Sequence, residues 1–316
     1  MTTMTGAAPA RVPFWGVLRL VAADIKIAHS VFALPFAVLG AFLARTGAWP
    51  GNAGFVGQLS LIVACMVCAR TWAMVFNRLA DRRFDAANPR TQRRSLASGR
   101  LTPGQGWAAA LISAGLFIGA ASLFWVFLRN PWPLALSIPV LIWIAFYSLT
   151  KRFTALCHVF LGGALAASPI AAAIAVDPSS VILPIWPPSV MAIWGLGAMV
   201  LCWVAGFDII YALQDIEFDR SAGLRSIPAR LGWRGALWVS RGLHGLAFLF
   251  LLLAWAVDGR LGWLFGVGIG AVGVLLVTEH IILIRRGKAG LDMAFFTLNG
   301  IVSCVLGLAG CLDTVF

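Results

Sequence analysis

Nine long apolar runs, separated by short polar loops, dominate the pattern of hydrophobic and polar positions. Each run approaches or exceeds the ~20 apolar residues that a helix needs to cross a bilayer. The predicted spans are residues 25–44, 55–80, 107–128, 131–150, 155–176, 188–214, 236–257, 261–284 and 291–313. Residues 13–24 predict an amphipathic helix on the membrane surface. The pattern predicts an all-α polytopic membrane protein, a single domain over residues 1–316 with a cytoplasmic or interfacial segment at 1–24.

The composition agrees with this class and excludes an ordinary soluble domain. The chain is 60% hydrophobic and only 11% charged, and its mean hydropathy is +0.90. The N-terminus lacks the pattern of a cleavable signal peptide, so we expect the first span to be retained. All six cysteines fall within apolar runs, which favours small core residues over redox or zinc chemistry.

The basic residues predict how the chain is oriented. The net charge is +12, and most Lys and Arg residues lie in the N-terminal tail or in loops after even-numbered spans. The alternate loops hold only Arg45, Arg129 and Arg260. The positive-inside rule places the N-terminus in the cytoplasm and the C-terminus outside, in a multi-pass protein of the cytoplasmic (inner) membrane. The basic excess is topological, so no nucleic-acid partner is needed to explain it.

Two acidic motifs lie at the predicted cytoplasmic ends of the second and sixth spans. The first motif has spacings of four residues and the second has spacings of seven and four, so each lines one helical face. The residues are Asn77, Asp81 and Asp85 in the first motif, and Asp208, Asp215 and Asp219 in the second. Carboxylates at the edge of a bilayer are costly unless they bind a partner, commonly a cation. Two such faces predict a shared site for divalent metal and phosphate.

The neighbouring basic residues suggest the kind of ligand. Mg²⁺ prefers oxygen ligands and commonly completes its coordination shell with substrate phosphates. Arginine and lysine side chains would neutralise the remaining phosphate charge. The candidates are Arg90, Arg94, Lys151, Arg152 and Arg225. A ligand with a charged head and a long apolar tail, such as an isoprenyl diphosphate, suits a site that opens towards a bilayer.

Four sequence blocks together resemble the UbiA superfamily of intramembrane aromatic prenyltransferases. The blocks are N-x-x-x-D-x-x-x-D from Asn77, R-T-x-x-R-x-L-x-S-G from Arg90, Y-x-x-x-K-R from Tyr147 and D-x-x-Y-A-x-x-D-x-x-x-D from Asp208. The resemblance implies nine helices around a cavity open to the cytoplasmic side. It also implies Mg²⁺-dependent ionisation of an allylic diphosphate, followed by attack of an electron-rich aromatic ring.

The resemblance also assigns roles by matching positions. It implies that the two acidic motifs bind metal and diphosphate, with Asp81, Asp85, Asp215 and Asp219 as catalytic residues. Diphosphate would also be held by Arg94, Tyr147, Lys151 and Arg152. Tyr211 would line the cavity, and Lys26 would meet an aromatic carboxylate. Where the family usually has aspartate, this chain has Arg78, which either weakens metal binding or itself contacts diphosphate.

The expected substrates are a polyprenyl diphosphate and a hydroxylated aromatic acid resembling 4-hydroxybenzoate, in ubiquinone or menaquinone synthesis. Three stretches, A-L-P-F-A near residue 35, N-R-x-x-D from Asn77 and Q-D-x-E-F-D from Gln214, are together similar to a branch associated with futalosine-route menaquinone synthesis. The acceptor in that branch is 1,4-dihydroxy-6-naphthoate. Haem O and chlorophyll synthase-like transfers are further alternatives within the family. No protein partner or prenyl chain length is indicated.

A membrane transporter is the main alternative from another functional class. Transporters also place charged residues within or near membrane helices, often around a midplane site between inverted repeats. Here the sequences after the two acidic motifs suggest a weak repeat of four helices, whose halves share one orientation. Both acidic motifs are predicted at the same membrane face. These two features favour an enzyme.

Overall fold

All the regular secondary structure in the described residues is helical. A computed structural model describes residues 13–45, 53–181 and 187–316, and these residues contain no β-strand. The α-helices are α1 (Phe14–Ile25), α2 (Leu34–Ala44), α3 (Ala53–Ala80), α4 (Arg82–Ala87), α5 (Pro103–Leu128), α6 (Trp132–Thr150), α7 (Cys157–Val176), α8 (Pro188–Ala212), α9 (Ile216–Ser221), α10 (Ile227–Val257), α11 (Trp263–Arg286) and α12 (Asn299–Asp313). The all-α prediction is confirmed.

The number of membrane spans agrees with the predicted nine. Within the described ranges, eight helical segments are long and apolar enough to cross a bilayer. A bent pair near the N-terminus, Trp15–Phe32 with Leu34–Ala44, brings the number to nine if it counts as one span. The protein is therefore a multi-pass membrane protein.

The first predicted span is not the continuous helix expected over residues 25–44. Helix α1 ends at Ile25 because Lys26 adopts a left-handed conformation, with φ of 46°. A 3₁₀ segment, Ile27–Phe32, follows before α2 begins, and the two halves meet at 48°. At 11 residues, α2 alone is too short to span a bilayer. The predicted surface helix at 13–24 corresponds to α1, whereas residues 1–12 lie outside the described ranges.

Two helices begin earlier than their apolar runs because polar residues cap them. Helix α5 starts at Pro103, where Thr102 and Gln105 form a reciprocal capping box. Helix α10 starts at Ile227, where Ser226 caps it by accepting from Ala229 N, but its backbone breaks at Gly232 (φ 68°), so its uninterrupted part begins close to the predicted residue 236. These first turns are too polar to be recognised from an apolar run.

Helix α8 is the centre of the bundle and carries part of the second acidic motif. It packs between α7 and α10, and Trp203 is fully buried in it. Small residues permit the close approach. A Cβ at Gly162 of α7 would lie 2.4 Å from Leu201 O, and one at Gly206 would lie 2.3 Å from the His244 ring. This packing fixes the position of the end of α8.

Candidate active site

Both acidic motifs have the same local structure, a long helix followed by a short one. Helix α3 ends at Ala80, and Asp81 precedes the six-residue helix α4, which buries Asp85. Helix α8 ends at Ala212, and a 3₁₀ turn reaches Asp215 before the six-residue helix α9. The sequence predicted one uninterrupted helical face for each motif. The backbone instead departs from helical angles at each central aspartate, with φ and ψ of −92° and 6° at Asp81 and −106° and 8° at Asp215.

Basic side chains contact all five aspartates of the two motifs. The shortest atom pairs are Asp81 Oδ1–Arg152 Nη2 at 3.3 Å, Asp85 Oδ1–Arg94 Nη1 at 2.7 Å, Asp215 Oδ2–Arg90 Nη2 at 2.5 Å, Asp219 Oδ1–Lys151 Nζ at 2.7 Å and Asp208 Oδ2–His158 Nδ1 at 2.6 Å. The structure therefore brings the predicted acidic residues together with four of the predicted basic residues.

The loop after the first motif binds directly to the second motif. Arg90 donates to both carboxylate oxygens of Asp215, from Nε at 2.9 Å and from Nη2 at 2.5 Å. Asn88 Nδ2 donates to Asp215 Oδ1 at 3.2 Å, and Arg90 Nη1 donates to the Tyr211 hydroxyl at 3.1 Å. Bidentate guanidinium–carboxylate pairs fix orientation as well as distance. These contacts join residues 125 positions apart into one site.

Burial and neighbouring charges shift the pKa values in this site. Burial raises the pKa of Asp81, the Asp85 carboxylate raises it further, and the hydrogen bond from Arg152 opposes both effects. Burial alone would lower the pKa of Lys151, but its attraction to and hydrogen bond with Asp219, together with attraction to Asp215, outweigh burial, so the net shift is upward. Lys151 is therefore held as a cation beside the second motif.

The donor chemistry of the site fits a hard divalent cation. The two motifs supply carboxylate and amide oxygens, the ligand atoms that Mg²⁺ prefers. Asp85 Oδ2 is buried and has no hydrogen-bond partner among the described residues, so it retains acceptor capacity. Within the same ranges, no three His, Cys, Asp or Glu side chains converge as a ready-made metal centre. Metal binding would require the carboxylates to exchange their basic partners.

Three of the predicted binding residues, Arg225, Lys26 and Tyr147, are not part of the ion pairs with the aspartates. Arg225 is exposed and donates from Nη1 to Phe153 O at 2.8 Å, so its guanidinium braces the turn after α6. Lys26 is exposed at the end of α1. Tyr147 packs on the apolar cluster formed around Phe117 and Leu141.

Arg78 is buried between α3 and the N-terminal helix. It is 7% exposed, donates from Nη1 to Asn77 Oδ1 at 2.9 Å, and lines a small cavity with Asp24 and Leu96. Asp24 and Asp85 are its acidic neighbours. The guanidinium thus places a positive charge near these two carboxylates, at the contact of α1 with α3.

Replacement of Arg78 by aspartate, the residue usual in the family, is expected to destabilise this chain. Arg78→Asp would replace a buried cation beside Asp24 and Asp85 with a third carboxylate, which Arg94 nearby would have to balance together with Asp85, at a cost of about 3 kcal/mol or more. Thermal denaturation in detergent measures the loss. Arg83→Asp is the control because Arg83 is exposed in the adjacent helix α4. Equal denaturation midpoints for the two variants would contradict this role of Arg78.

Two polar residues within apolar runs were not predicted as part of the site. Arg70 of α3 donates from Nη2 to Ile25 O and Lys26 O, both at 3.2 Å. Its Nε is buried and has no hydrogen-bond partner in the described part of the chain. An arginine inside a membrane span was itself a signal of function. His158 gave no comparable signal, because a single histidine in an apolar run does not reveal its partner.

The sequence profile of the UbiA prenyltransferase family matches residues 33–301. The chain belongs to the UbiA prenyltransferase family. The 4-hydroxybenzoate octaprenyltransferase of Methylobacillus flagellatus is 33% identical, over 80% of this chain and 81% of the relative. That of Vibrio vulnificus is 32% identical, over 79% and 82%. The resemblance inferred from the four sequence blocks is confirmed, and the chain is an aromatic prenyltransferase.

Solved UbiA structures have the same fold. A UbiA homologue from Aeropyrum pernix K1 in its apo form is 31% identical with a TM-score of 0.77, over 90% of this chain and 98% of that protein. A UbiA homologue from Archaeoglobus fulgidus, solved with GPP and Mg²⁺, has a TM-score of 0.67 over 94% and 99%. At 16% identity, the second likeness concerns the fold alone.

Proposed function

We propose that this UbiA-family enzyme transfers a polyprenyl group from its diphosphate to 4-hydroxybenzoate in the cytoplasmic membrane. The observation that carries the proposal is the joining of the two acidic motifs through Arg90 and Asp215, among further basic side chains. This arrangement supports binding of a diphosphate with its metal. The names of the octaprenyltransferase relatives support the choice of acceptor.

The ion-paired residues form the proposed donor site. We assign metal and diphosphate binding to Asn77, Asp81, Asp85, Asp208, Asp215 and Asp219. When bound, Mg²⁺ would neutralise diphosphate charge and stabilise the leaving group. Arg90, Arg94, Lys151 and Arg152 now neutralise these carboxylates. On substrate binding, these basic groups transfer their hydrogen bonds to diphosphate oxygens, so the site stays charge-balanced.

Arg70 is the proposed anchor for the acceptor carboxylate. It lies seven residues before Asn77 on α3, which corresponds to about two helical turns, or ~10 Å, along the same face. Its unpartnered Nε is a donor suited to a carboxylate. An aromatic acid held there would present its hydroxylated end towards the diphosphate. Lys26 was the residue predicted for this role. Its backbone carbonyl group accepts a hydrogen bond from Arg70.

The reaction follows from these two anchors. The allylic C–O bond breaks and its electron pair leaves with the diphosphate. A ring carbon next to the hydroxyl group donates an electron pair to the allylic carbon, and the displaced ring proton is lost. Arg94, Lys151 and Arg152 hold the departing diphosphate.

We also propose that the N-terminus lies in the cytoplasm and the C-terminus outside, because the positively charged loops lie on the N-terminal side of the membrane.

A membrane assay tests the proposal and distinguishes the acceptors. Membranes containing the enzyme receive Mg²⁺ and radiolabelled geranyl diphosphate, with 4-hydroxybenzoate or 1,4-dihydroxy-6-naphthoate in parallel reactions. Prenylated 4-hydroxybenzoate is the expected product. Product only with the naphthoate would place the enzyme in menaquinone synthesis. No product with either acceptor at any Mg²⁺ concentration would overturn the proposal.

A further inference from the structure

A chain of polar side chains crosses the apolar core of the bundle, apart from the acidic motifs. Trp203 Nε1 of α8 donates to Asn299 Oδ1 at 2.6 Å, and Asn299 Nδ2 donates to Glu279 Oε1 at 3.1 Å. Glu279 Oε2 lies 3.6 Å from His244 Nδ1, which lies 3.1 Å from His280 Nε2. Asn299 is 0% and Glu279 1% exposed. Polar groups this deep in a membrane protein are costly, so the network requires an explanation.

Asn299 connects this network to an irregular stretch of backbone. Its Nδ2 group also lies within hydrogen-bonding distance of Ala294 O at 2.8 Å and Phe295 O at 3.2 Å. Both carbonyl groups belong to the π-helical segment Met293–Leu298, which directly precedes α12. A wide turn disturbs the ordinary helical hydrogen bonds, and π-turns of this kind are frequent at functional sites. The Asn299 amide thus contacts two carbonyl groups of this turn.

The π-turn presents Phe295 to the candidate active site. The Phe295 ring centroid lies 4.2 Å from that of Tyr211, with the ring planes inclined by 32°. Phe295 also contacts Phe207 at 5.5 Å and His29 at 5.7 Å between centroids. The Tyr211 hydroxyl accepts from Arg90, which binds Asp215. The buried network therefore reaches the side chains that join the acidic motifs through a single ring contact, that of Phe295 with Tyr211.

We propose that Asn299, fixed by Glu279 and Trp203, is a positioning residue that holds Phe295 against Tyr211. The pair of rings then forms an apolar wall that excludes water from the reacting carbon of the prenyl donor. The inference rests on the function proposed above. If the wall shifts, water competes with the aromatic acceptor. Its oxygen bonds to the allylic carbon, the C–O bond to diphosphate breaks, and loss of a proton from the attacking water leaves a prenyl alcohol.

The decisive measurement is how the cleaved donor divides between prenyl alcohol and prenylated acceptor. Asn299→Leu keeps a similar side-chain volume but removes the amide. We expect the ratio of alcohol to prenylated product to rise about 10-fold, since small displacements near reacting atoms have large kinetic effects. Glu279→Gln keeps an oxygen acceptor for Asn299 and should retain the wild-type ratio. Amide hydrogen exchange over Met293–Leu298 should accelerate in Asn299→Leu.

Asn130→Leu is a matched control for loss of a buried amide. Asn130 Nδ2 likewise contacts two successive carbonyl groups, Ile174 O at 2.8 Å and Ala175 O at 3.2 Å, at the end of α7. This variant should lose stability without any change in the product ratio. Equal ratios for Asn299→Leu and Asn130→Leu would overturn the positioning role.

A second variant keeps the inference testable if Asn299→Leu does not fold. Phe295→Leu leaves the network intact but removes the ring that contacts Tyr211, and it should raise the alcohol ratio to a similar extent. An unchanged ratio would overturn the proposed wall. If the wild-type enzyme prenylated neither acceptor, the proposed function would fail. Hydrogen exchange would then still test whether Asn299 holds the π-turn.

Discussion

Asp215→Ala is expected to reduce turnover about 100- to 1,000-fold, the range seen when one preorganised electrostatic contact is removed. Asp215 anchors Arg90 through two hydrogen bonds and also accepts from Asn88. Its loss removes a proposed metal ligand and frees the loop that joins the two motifs. Product formation at saturating donor and acceptor concentrations, per unit of folded enzyme, measures the effect.

The same short helix provides a control for this substitution. Glu217 of α9 is exposed, so Glu217→Ala should retain near-wild-type turnover. Asp215→Asn distinguishes the carboxylate charge from its shape, because the amide keeps one oxygen acceptor for Arg90. Near-normal turnover of Asp215→Ala in membranes would remove the second motif from the proposed catalytic site.

The membrane-protein class and the approximate positions of the spans were predictable because both depend on the length of each apolar run. The 3₁₀ segment after Lys26 and the breaks at Asp81 and Asp215 were not predictable in this way. Their backbone conformations depend on contacts with other elements, such as the carbonyl groups of Ile25 and Lys26 that bind Arg70. An apolar run records that a segment suits the membrane, but not whether its helix is continuous.

The part of the candidate site formed by regularly spaced motifs was predictable from the sequence. Four-residue spacing placed Asp81 and Asp85 on one surface, and loop charge placed Arg90 and Arg94 beside them. The exact pairs, such as Arg90 with Asp215, depend on how distant loops fold together. Single polar residues inside apolar runs were harder to interpret, because packing of the bundle decides which face of a helix meets the candidate site.

Arg78 illustrates how the structure changes the meaning of a departure from the family pattern. The sequence left open whether this residue weakens metal binding or contacts diphosphate. Its guanidinium is buried at the α1–α3 contact, hydrogen-bonded to Asn77 and close to Asp24 and Asp85. An arginine here favours attachment of α1 beside the first motif. We therefore expect its substitution to affect folding before chemistry.

Arg70→Gln is expected to raise the KM for 4-hydroxybenzoate about 10- to 100-fold, equivalent to losing one charge-assisted hydrogen bond. The KM for the prenyl diphosphate should change little, because Arg70 lies two helical turns from the first motif. Initial rates with each substrate varied in turn measure both constants. Arg241→Gln is the control, since Arg241 is another arginine within a span and its guanidinium lies 4.6 Å from the Trp238 ring centroid.

An acceptor without a carboxylate separates substrate binding from a purely structural effect of Arg70. With 4-methylphenol, wild type and Arg70→Gln should have equal kcat/KM, since this substrate has no charge for the guanidinium to bind. Arg70 also holds the end of α1 through Ile25 O and Lys26 O. If that contact were its whole role, both acceptors would lose activity to the same extent. A loss confined to 4-hydroxybenzoate therefore identifies Arg70 as the residue that recognises the acceptor's carboxylate.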